Sequence, residues 1–356
     1  MNHFIQLHLL TSYPPANLNR DDLGRPKTAI MGGSKRLRVS SQSLKRTWRT
    51  SELFEDALGE HQGKRTKKVG VNAAKDLIEK GVKEKDAQAW ATDIAKVFGD
   101  VAKGELETSQ LVHISPEEQA AVNELMSTLA AEGRAPQKED LDLLRKNTSA
   151  VDIALFGRML AASPAFNVEA ACQVAHAITV HGAEVEDDYF TAVDDLNTGE
   201  EHKGAAHVGE AGFAAGLFYS YVCIDRRQLE ANLNGDRALA DRAIAALVEA
   251  AIRTSPKGKQ NSFGSRAHAS YVLAECGDQQ PRSLSVSFLR PVSGQDQAKE
   301  AIDRLERQVG AFDRAYGAGA ERRFVVSAEP DYAGPGPEGA TSGSLAALIE
   351  FLKDCQ

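Results

Sequence analysis

The sequence predicts an α+β fold with an inserted helical domain. β-like runs near both ends of the chain flank a long stretch whose apolar residues recur at helical spacing. Strand and helix signals otherwise alternate, as expected for helices packed on a central sheet. A chain of 356 residues, 42% apolar and 26% charged, has the size and composition of a globular protein of more than one domain. These features divide it into a first body segment 1–58, a helical insertion 59–147 and a second body segment 148–356.

Taken in order, His3 to Leu10 alternates with Ile5, Leu7 and Leu9 on one face, which predicts a short buried strand. From Thr11 to Ser41 no regular period is visible, and a loop of this length is a functional candidate. A helix follows, capped by Ser40, Ser41 or Ser43, with Leu44, Trp48 and Phe54 turned inward. In the insertion, Trp90, Ile94, Val97 and Val101 mark one helix, and Ser115-Pro116-Glu117-Glu118 opens another as a capping box. VDIALFGRML and VEAACQVAHAITV fit β or mixed readings. The Gly- and Ala-rich stretch that precedes the strand-like run from Leu217 to Ile224 predicts a projecting hairpin. A helix closes at Ser255-Pro256, and a basic, polar loop runs from Lys257 to Ser262. Strands are expected near Ala269–Leu273, Leu284–Leu289 and Arg323–Ala328. Helices are marked by Ile302, Leu305, Val309 and Phe312, and by Leu345, Leu348, Ile349 and Leu352.

The charge is unevenly placed. The formal net charge is −8, yet from Arg20 to Arg49 nine basic residues stand against two acidic ones, Asp21 and Asp22. That asymmetry predicts one basic surface on an acidic body. Within it, Gly32-Gly33 can turn amide N–H groups toward an anion, Lys35, Arg36 and Arg38 follow at once, and a helix begins near Ser43. Lys45 and Arg49 share a helix face. Together these favour phosphate binding, although GGSKRLR lacks the frame of a Walker A loop. A second basic run, Lys64 to Lys68, reads more readily as a solvated loop.

Catalytic signals are weak. Glu184, Glu186, Asp187, Asp188, Asp194 and Asp195 form an acidic stretch, but sequence neighbours need not converge on a metal. His176, His181 and His207 show no spacing that selects acid–base chemistry over packing. Phe218, Tyr219 and Tyr221 could stack on bases, yet the RNP1 pattern is missing and core packing is the expected role. Cys172, Cys223, Cys276 and Cys355 have no zinc spacing and are expected to be reduced thiols of a cytoplasmic protein. The N-terminal residues lack the pattern of a secretory signal, and no apolar run suggests a membrane span. No cofactor or metal is indicated.

The N-terminal strand, LNRDD and GGSKRLRVSSQSLKR, followed in order by VDIALFGRM, VAHAITVH, DYFTAVDDL, AHVG and GLFYSYVCID, resemble the backbone subunits (CasC-type, RAMP superfamily) of type I-E CRISPR Cascade surveillance complexes. The resemblance covers most of the chain and is weakest at 59–147 and after Pro330. It implies a ferredoxin-like, RNA-recognition-type palm, a helical finger (the insertion 59–147) and a thumb hairpin at 195–217. It further implies a non-catalytic protein whose copies polymerise along CRISPR guide RNA and present the spacer for pairing with target DNA. The partners implied are further copies of the chain and the large, small, guide-end-capping and guide-processing subunits. Carried over by position, the palm candidates are Arg20, Lys27, Lys35, Arg36, Arg38, Ser40, Gln42, Lys45 and Arg49. The alternative is a metal-dependent RNase of type III-like complexes, with Asp21 or Asp22 in the reactive loop.

Overall fold

The computed structural model describes residues 3–192 and 207–355. Its strands are β1 (Phe4–Ala16), β2 (Thr28–Met31), β3 (Ser34–Val39), β4 (Lys64–Thr66), β5 (Val112–Ile114), β6 (Cys172–Val174), β7 (Ala177–Thr179), β8 (Glu186–Ala192), β9 (His207–Asp225), β10 (Tyr271–Gly277), β11 (Arg322–Ser327) and β12 (Ala340–Ser342). Its α-helices are α1 (Ser41–Arg49), α2 (Glu52–Leu58), α3 (Val69–Glu79), α4 (Glu84–Phe98), α5 (Pro116–Glu132), α6 (Val151–Phe156), α7 (Arg226–Asn232), α8 (Arg237–Arg253), α9 (Gln260–Phe263), α10 (Gln297–Tyr316) and α11 (Leu345–Lys353). The fold is α+β. The chain divides into two compact units, residues 1–53, 174–223 and 247–356 in the first and residues 54–173 and 224–246 in the second.

The first unit is built on a sheet of order β12-β11-β10-β1-β9-β7-β3-β2, with β8 also paired to β9. β1 lies between β10 and β9, which pair with both its edges, and side chains on both its faces are buried. Ile5, Leu7 and Leu9 are buried on one side, and Gln6, His8 and Leu10 on the other. That is why its alternation in sequence is imperfect. β1 also continues through Tyr13-Pro14-Pro15 to Ala16, well past the predicted end. On one face Leu10, Tyr219, Leu273, Phe288 and Val325 pack with Ile302, Leu305 and Val309 of α10.

A buried polar network crosses the sheet. His8 Nε2 is 3.1 Å from Glu275 Oε2, and His8 Nδ1 is 2.9 Å from the Tyr219 hydroxyl. The Glu275 carboxylate also accepts from Arg323 Nε at 2.9 Å and from the Arg282 guanidinium. Burial pushes the His8 pKa down, against the opposing pull of Glu275, and so favours the neutral imidazole. Although burial opposes ionisation of Glu275, hydrogen bonds from His8 and Arg282 outweigh it and hold the carboxyl below the usual range.

The second unit is mainly helical. α3, α4 and α5 enclose Leu77, Trp90, Ile94, Phe98, Val122, Met126 and Leu129. Ser115 closes the predicted capping box, accepting from Glu118 N at 3.2 Å while Glu118 accepts from Ser115 N at 3.0 Å. The same Glu118 carboxylate receives Arg158 Nη1 at 2.6 Å in a buried ion pair.

Several local expectations are corrected. Residues 59–147 are not all helical: β4 and β5 pair antiparallel, Lys64 opposite Ile114. Helix α4 ends at Phe98, so Val101 lies beyond it. VDIALF forms helix α6, because a short apolar run does not by itself select strand over helix. The stretch around Leu284–Leu289 is a 3₁₀ turn rather than a strand. Cys276 and Cys355 are joined in a disulfide, while Cys172 and Cys223 are buried thiols. Residues 195–206 of the expected thumb lie outside the described residues, and 207–217 belong to β9. Asp188 and Tyr189 on β8 face Ala211 and Glu210 on β9, and the pairing runs out to Ala192 opposite His207.

Candidate nucleic-acid interface

The irregular segment after β1 is a folded loop closed by its own polar groups. Asp21 N donates to Arg25 O at 2.9 Å, and Asp21 Oδ1 accepts the N–H groups of Leu23 and Arg25 at 3.0 and 2.9 Å. Lys27 N donates to Asn19 O and Arg38 N to Lys27 O, each at 2.8 Å. Asn17, buried beneath, donates Nδ2 to Gly24 O and Gly212 O at 2.9 Å. The loop therefore presents Arg20 from a fixed backbone.

β2 and β3 form a hairpin, closing at Met31 opposite Ser34. Gly32 and Gly33, with φ of 58° and 76°, form its two-residue turn, which requires positive φ at both positions. A Cβ on Gly32 would stand 1.6 Å from Leu289 O, so the turn is pressed against that backbone. At Gly32 this packing is a structural role, while Gly33 beside it is exposed.

The nine expected palm residues separate into distinct environments. On α1, Ser40 is the N-cap, its Oγ accepting from Ser43 N at 3.3 Å. Leu44, Thr47 and Trp48 face the interior. Gln42, Lys45, Arg46 and Arg49 consequently share the opposite face, three or four residues apart, where Gln42 and Arg46 are exposed and Lys45 and Arg49 half-buried. No acidic residue occupies the first turn.

Arg20 and α1 meet across a groove of about 420 Å³ whose lining includes Leu18, Arg20, Asp21, Ser43, Arg46 and Lys257. Lys257 Nζ donates to Thr50 O at 3.1 Å, tying its loop to the end of α1. Gly258 lies so close to β1's continuation that a Cβ there would stand 2.3 Å from Leu18 O.

Lys27 and Arg38 form a second basic cluster. Arg38 Nη1 donates to His176 Nδ1 at 2.8 Å, and His176 has a lowered pKa through burial and the nearby charges of Arg38 and Lys27. Lys35 is exposed and borders a separate, wider cleft with Arg25, Ser34 and Glu184. There Arg25 pairs with Asp187 at 2.8 Å.

Arg36 does not belong to the surface. It is 0% exposed, and its guanidinium donates to Thr179 O at 3.1 Å, Phe288 O at 2.8 Å and, more weakly, Met31 O at 3.4 Å. It stitches the β2–β3 hairpin to β7 and to the 3₁₀ turn. The sequence neighbours Lys35 and Arg36 thus point to opposite duties, as alternation along a strand requires.

Phe218, Tyr219 and Tyr221 are buried, and Tyr221 donates its hydroxyl to Gln6 Oε1 at 2.7 Å. They are core residues. Exposed rings are found instead on β8, at Tyr189 and Phe190, which pair with the opposite end of β9 at Glu210 and Gly209. His181 is also occupied structurally, with Nδ1 2.8 Å from Gly182 O and Nε2 accepting from Leu217 N at 3.1 Å.

Sequence reasoning missed Arg46 and Lys257 as members of the groove. Arg46 could have been found from its position four residues after Gln42. Lys257 comes from over two hundred residues downstream, and only the tertiary fold brings it to Arg20. The run Lys64, Arg65, Lys67 and Lys68, in the other unit, is exposed on β4 and the turn before α3.

A chain of a solved structure described as "CRISPR RNA-guided surveillance complex, pre-nicking" is 31% identical, with a TM-score of 0.86 over 99% of both chains. A second, described as "CRISPR RNA-guided surveillance complex", is 27% identical, with a TM-score of 0.74 over 99% of this chain and 100% of that one. No curated protein sequence matches. The family described as CT1975-like protein matches residues 5–351, nearly the whole length, and the chain belongs to this Cas family.

Proposed function

We propose that the protein is a non-catalytic guide-RNA-binding backbone subunit of a type I-E Cascade complex, acting in the cytoplasm. The observation that carries this reading is the groove formed by Arg20, Arg46 and Lys257 beside the basic face of α1, in a protein of net charge −8. Its cations and hydroxyls suit a phosphodiester chain, whose contacts carry no base information, so binding is independent of spacer sequence. Base edges left free pair with target DNA, and pairing supplies specificity. The family match and the two similar chains from RNA-guided surveillance complexes support the reading.

Gln42, Lys45 and Arg49 extend the phosphate-binding surface along α1, and Lys27 and Arg38 continue it at His176. Lys35 contributes from the adjoining cleft. Ser40 acts by starting the helix and Arg36 by holding the hairpin. Further copies add along the guide, with the thumb at 195–217 reaching a neighbour and the remaining Cascade subunits capping and flanking the array.

The test is to isolate the protein from its host without added nucleic acid and sequence the RNA that co-purifies. Guides sharing a repeat-derived flank but differing in spacer are expected. Recovery of no RNA, or of one unrelated sequence, would reject the proposal.

A further inference from the structure

We propose that Cys276 and Cys355 form a redox latch: the disulfide straps α11 to the sheet, and the docked helix shields the disulfide from reduction. Cys276 is on β10, between Ile5 of β1 and Arg322 of β11. Cys355 stands just beyond the end of α11, 79 residues away in sequence and 6.1 Å away between Cα atoms. Both residues are 0% exposed.

The non-covalent hold on α11 is short. Leu348, Phe351 and Leu352 are its buried side chains. Phe351 packs on Phe324 with centroids 5.2 Å apart, and the Arg322 guanidinium lies 4.7 Å above the Phe351 ring. Arg322 Nη1 also donates to Asp354 O at 2.8 Å. An isolated nine-residue helix is not stable in water, so an undocked α11 melts. At its start, β12 pairs with β11 and restrains it. At its end the restraint is covalent, through the disulfide.

A dithiol reductant opens the latch in two exchanges. One reductant thiolate attacks a cysteine sulfur along the S–S axis, and the other cysteine leaves as a thiolate that takes up a proton. The second reductant thiol then displaces the first cysteine. The protein gains two electrons and two protons, and the reductant ends as its own disulfide. In-line attack needs a path to a sulfur, and the closed packing gives none until the end of α11 lifts. Reduction therefore requires release, and stable closure requires oxidation. In a reducing compartment the opened form accumulates, and oxidising conditions close it.

The experiment uses the full-length chain. Alkylation under denaturing conditions should label two of the four cysteines, Cys172 and Cys223, before reduction and all four after dithiothreitol. The native reduction rate should level off as dithiothreitol rises, once lifting of α11 becomes limiting. Amide hydrogen exchange over 345–353 should rise by about tenfold or more on reduction, with β1 and α10 unchanged. Cys355→Ser and Cys276→Ala should show the raised exchange without reductant and no further change with it. Labelling of all four cysteines in the oxidised preparation, a rate that stays linear in dithiothreitol, or equal exchange in both states would each overturn the proposal. The comparison of oxidised and reduced wild type remains decisive if a variant fails to fold.

Discussion

Replacing Arg36 by Met tests the division of labour along β3. Arg36 makes two good hydrogen bonds to buried carbonyls, at 3.1 Å to Thr179 and 2.8 Å to Phe288, and a long one at 3.4 Å to Met31. Methionine fills much of the side-chain volume but satisfies none of these acceptors. A buried acceptor left unpaired costs about 1–3 kcal/mol, so the two good bonds set a loss of roughly 2–6 kcal/mol. For a unit of this size each kcal/mol shifts the melting temperature by about 2–4 °C, which puts the drop at roughly 4–24 °C. Lys35→Met, one residue away and exposed, should move the melting temperature by little and weaken guide binding instead. Differential scanning calorimetry and fluorescence anisotropy with a labelled guide separate the two effects. A variant at Arg36 that melts like wild type but loses RNA would refute the structural assignment and return Arg36 to the binding surface.

Acidification should destabilise the first unit. His8 and Glu275 both have folded pKa values below their ordinary ones, so the unfolded chain binds more protons, and stability falls with pH below about 6.5 through the His8 contribution and again below about 4.5 through Glu275. Urea melts from pH 8 to 4 check this, and a flat or rising midpoint on acidification would contradict it. Gly258→Ala should cost about 1–3 kcal/mol, since its methyl would meet Leu18 O at 2.3 Å, and an unchanged urea midpoint would show that the loop adjusts freely. Incubation with Mg²⁺ or Mn²⁺ should leave guide and target RNA intact, because Asp21 and Asp22 belong to no group of three or more acidic, His or Cys side chains placed to hold a metal ion among the described residues. Cleavage that Asp21→Ala or Asp22→Ala abolishes would favour the RNase alternative.

What is legible in the sequence is what local chemistry decides. The Ser115 capping box, the inward face of α1 and the spacing of Ile302, Leu305 and Val309 depend on residues within a turn or two of one another. The strands β10 and β11 are similarly visible as short β-rich runs. The far half of β1 is not, because Ser12, Pro14 and Pro15 are exposed there and two adjacent prolines read as the end of a strand. The Leu284–Leu289 turn misleads because a short apolar run looks alike as strand or buried turn. Charge density locates the basic surface, but density cannot show which cations point outward. Arg36 turns inward because carbonyls from β7 and the 3₁₀ turn, far along the chain, converge on it. Lys257 joins the groove, and Cys355 meets Cys276, for the same reason: distant segments become neighbours only in the folded sheet.

The central claim is that the basic face of α1 and its groove hold a nucleic-acid backbone without reading sequence. Its most direct test is the salt dependence of guide binding for the triple variant Lys45→Glu, Arg46→Glu, Arg49→Glu. These side chains lie on the face of α1 away from Leu44, Thr47 and Trp48, with Lys45 and Arg49 half-buried and Arg46 and Arg49 in the last turn, so a modest fall in melting temperature is expected and is measured alongside. Affinity should fall equally for several unrelated spacers, and the slope of log K against log salt should flatten by about 0.7 for each phosphate that is no longer neutralised. An unchanged slope, or a weakening confined to one spacer sequence, would contradict the account.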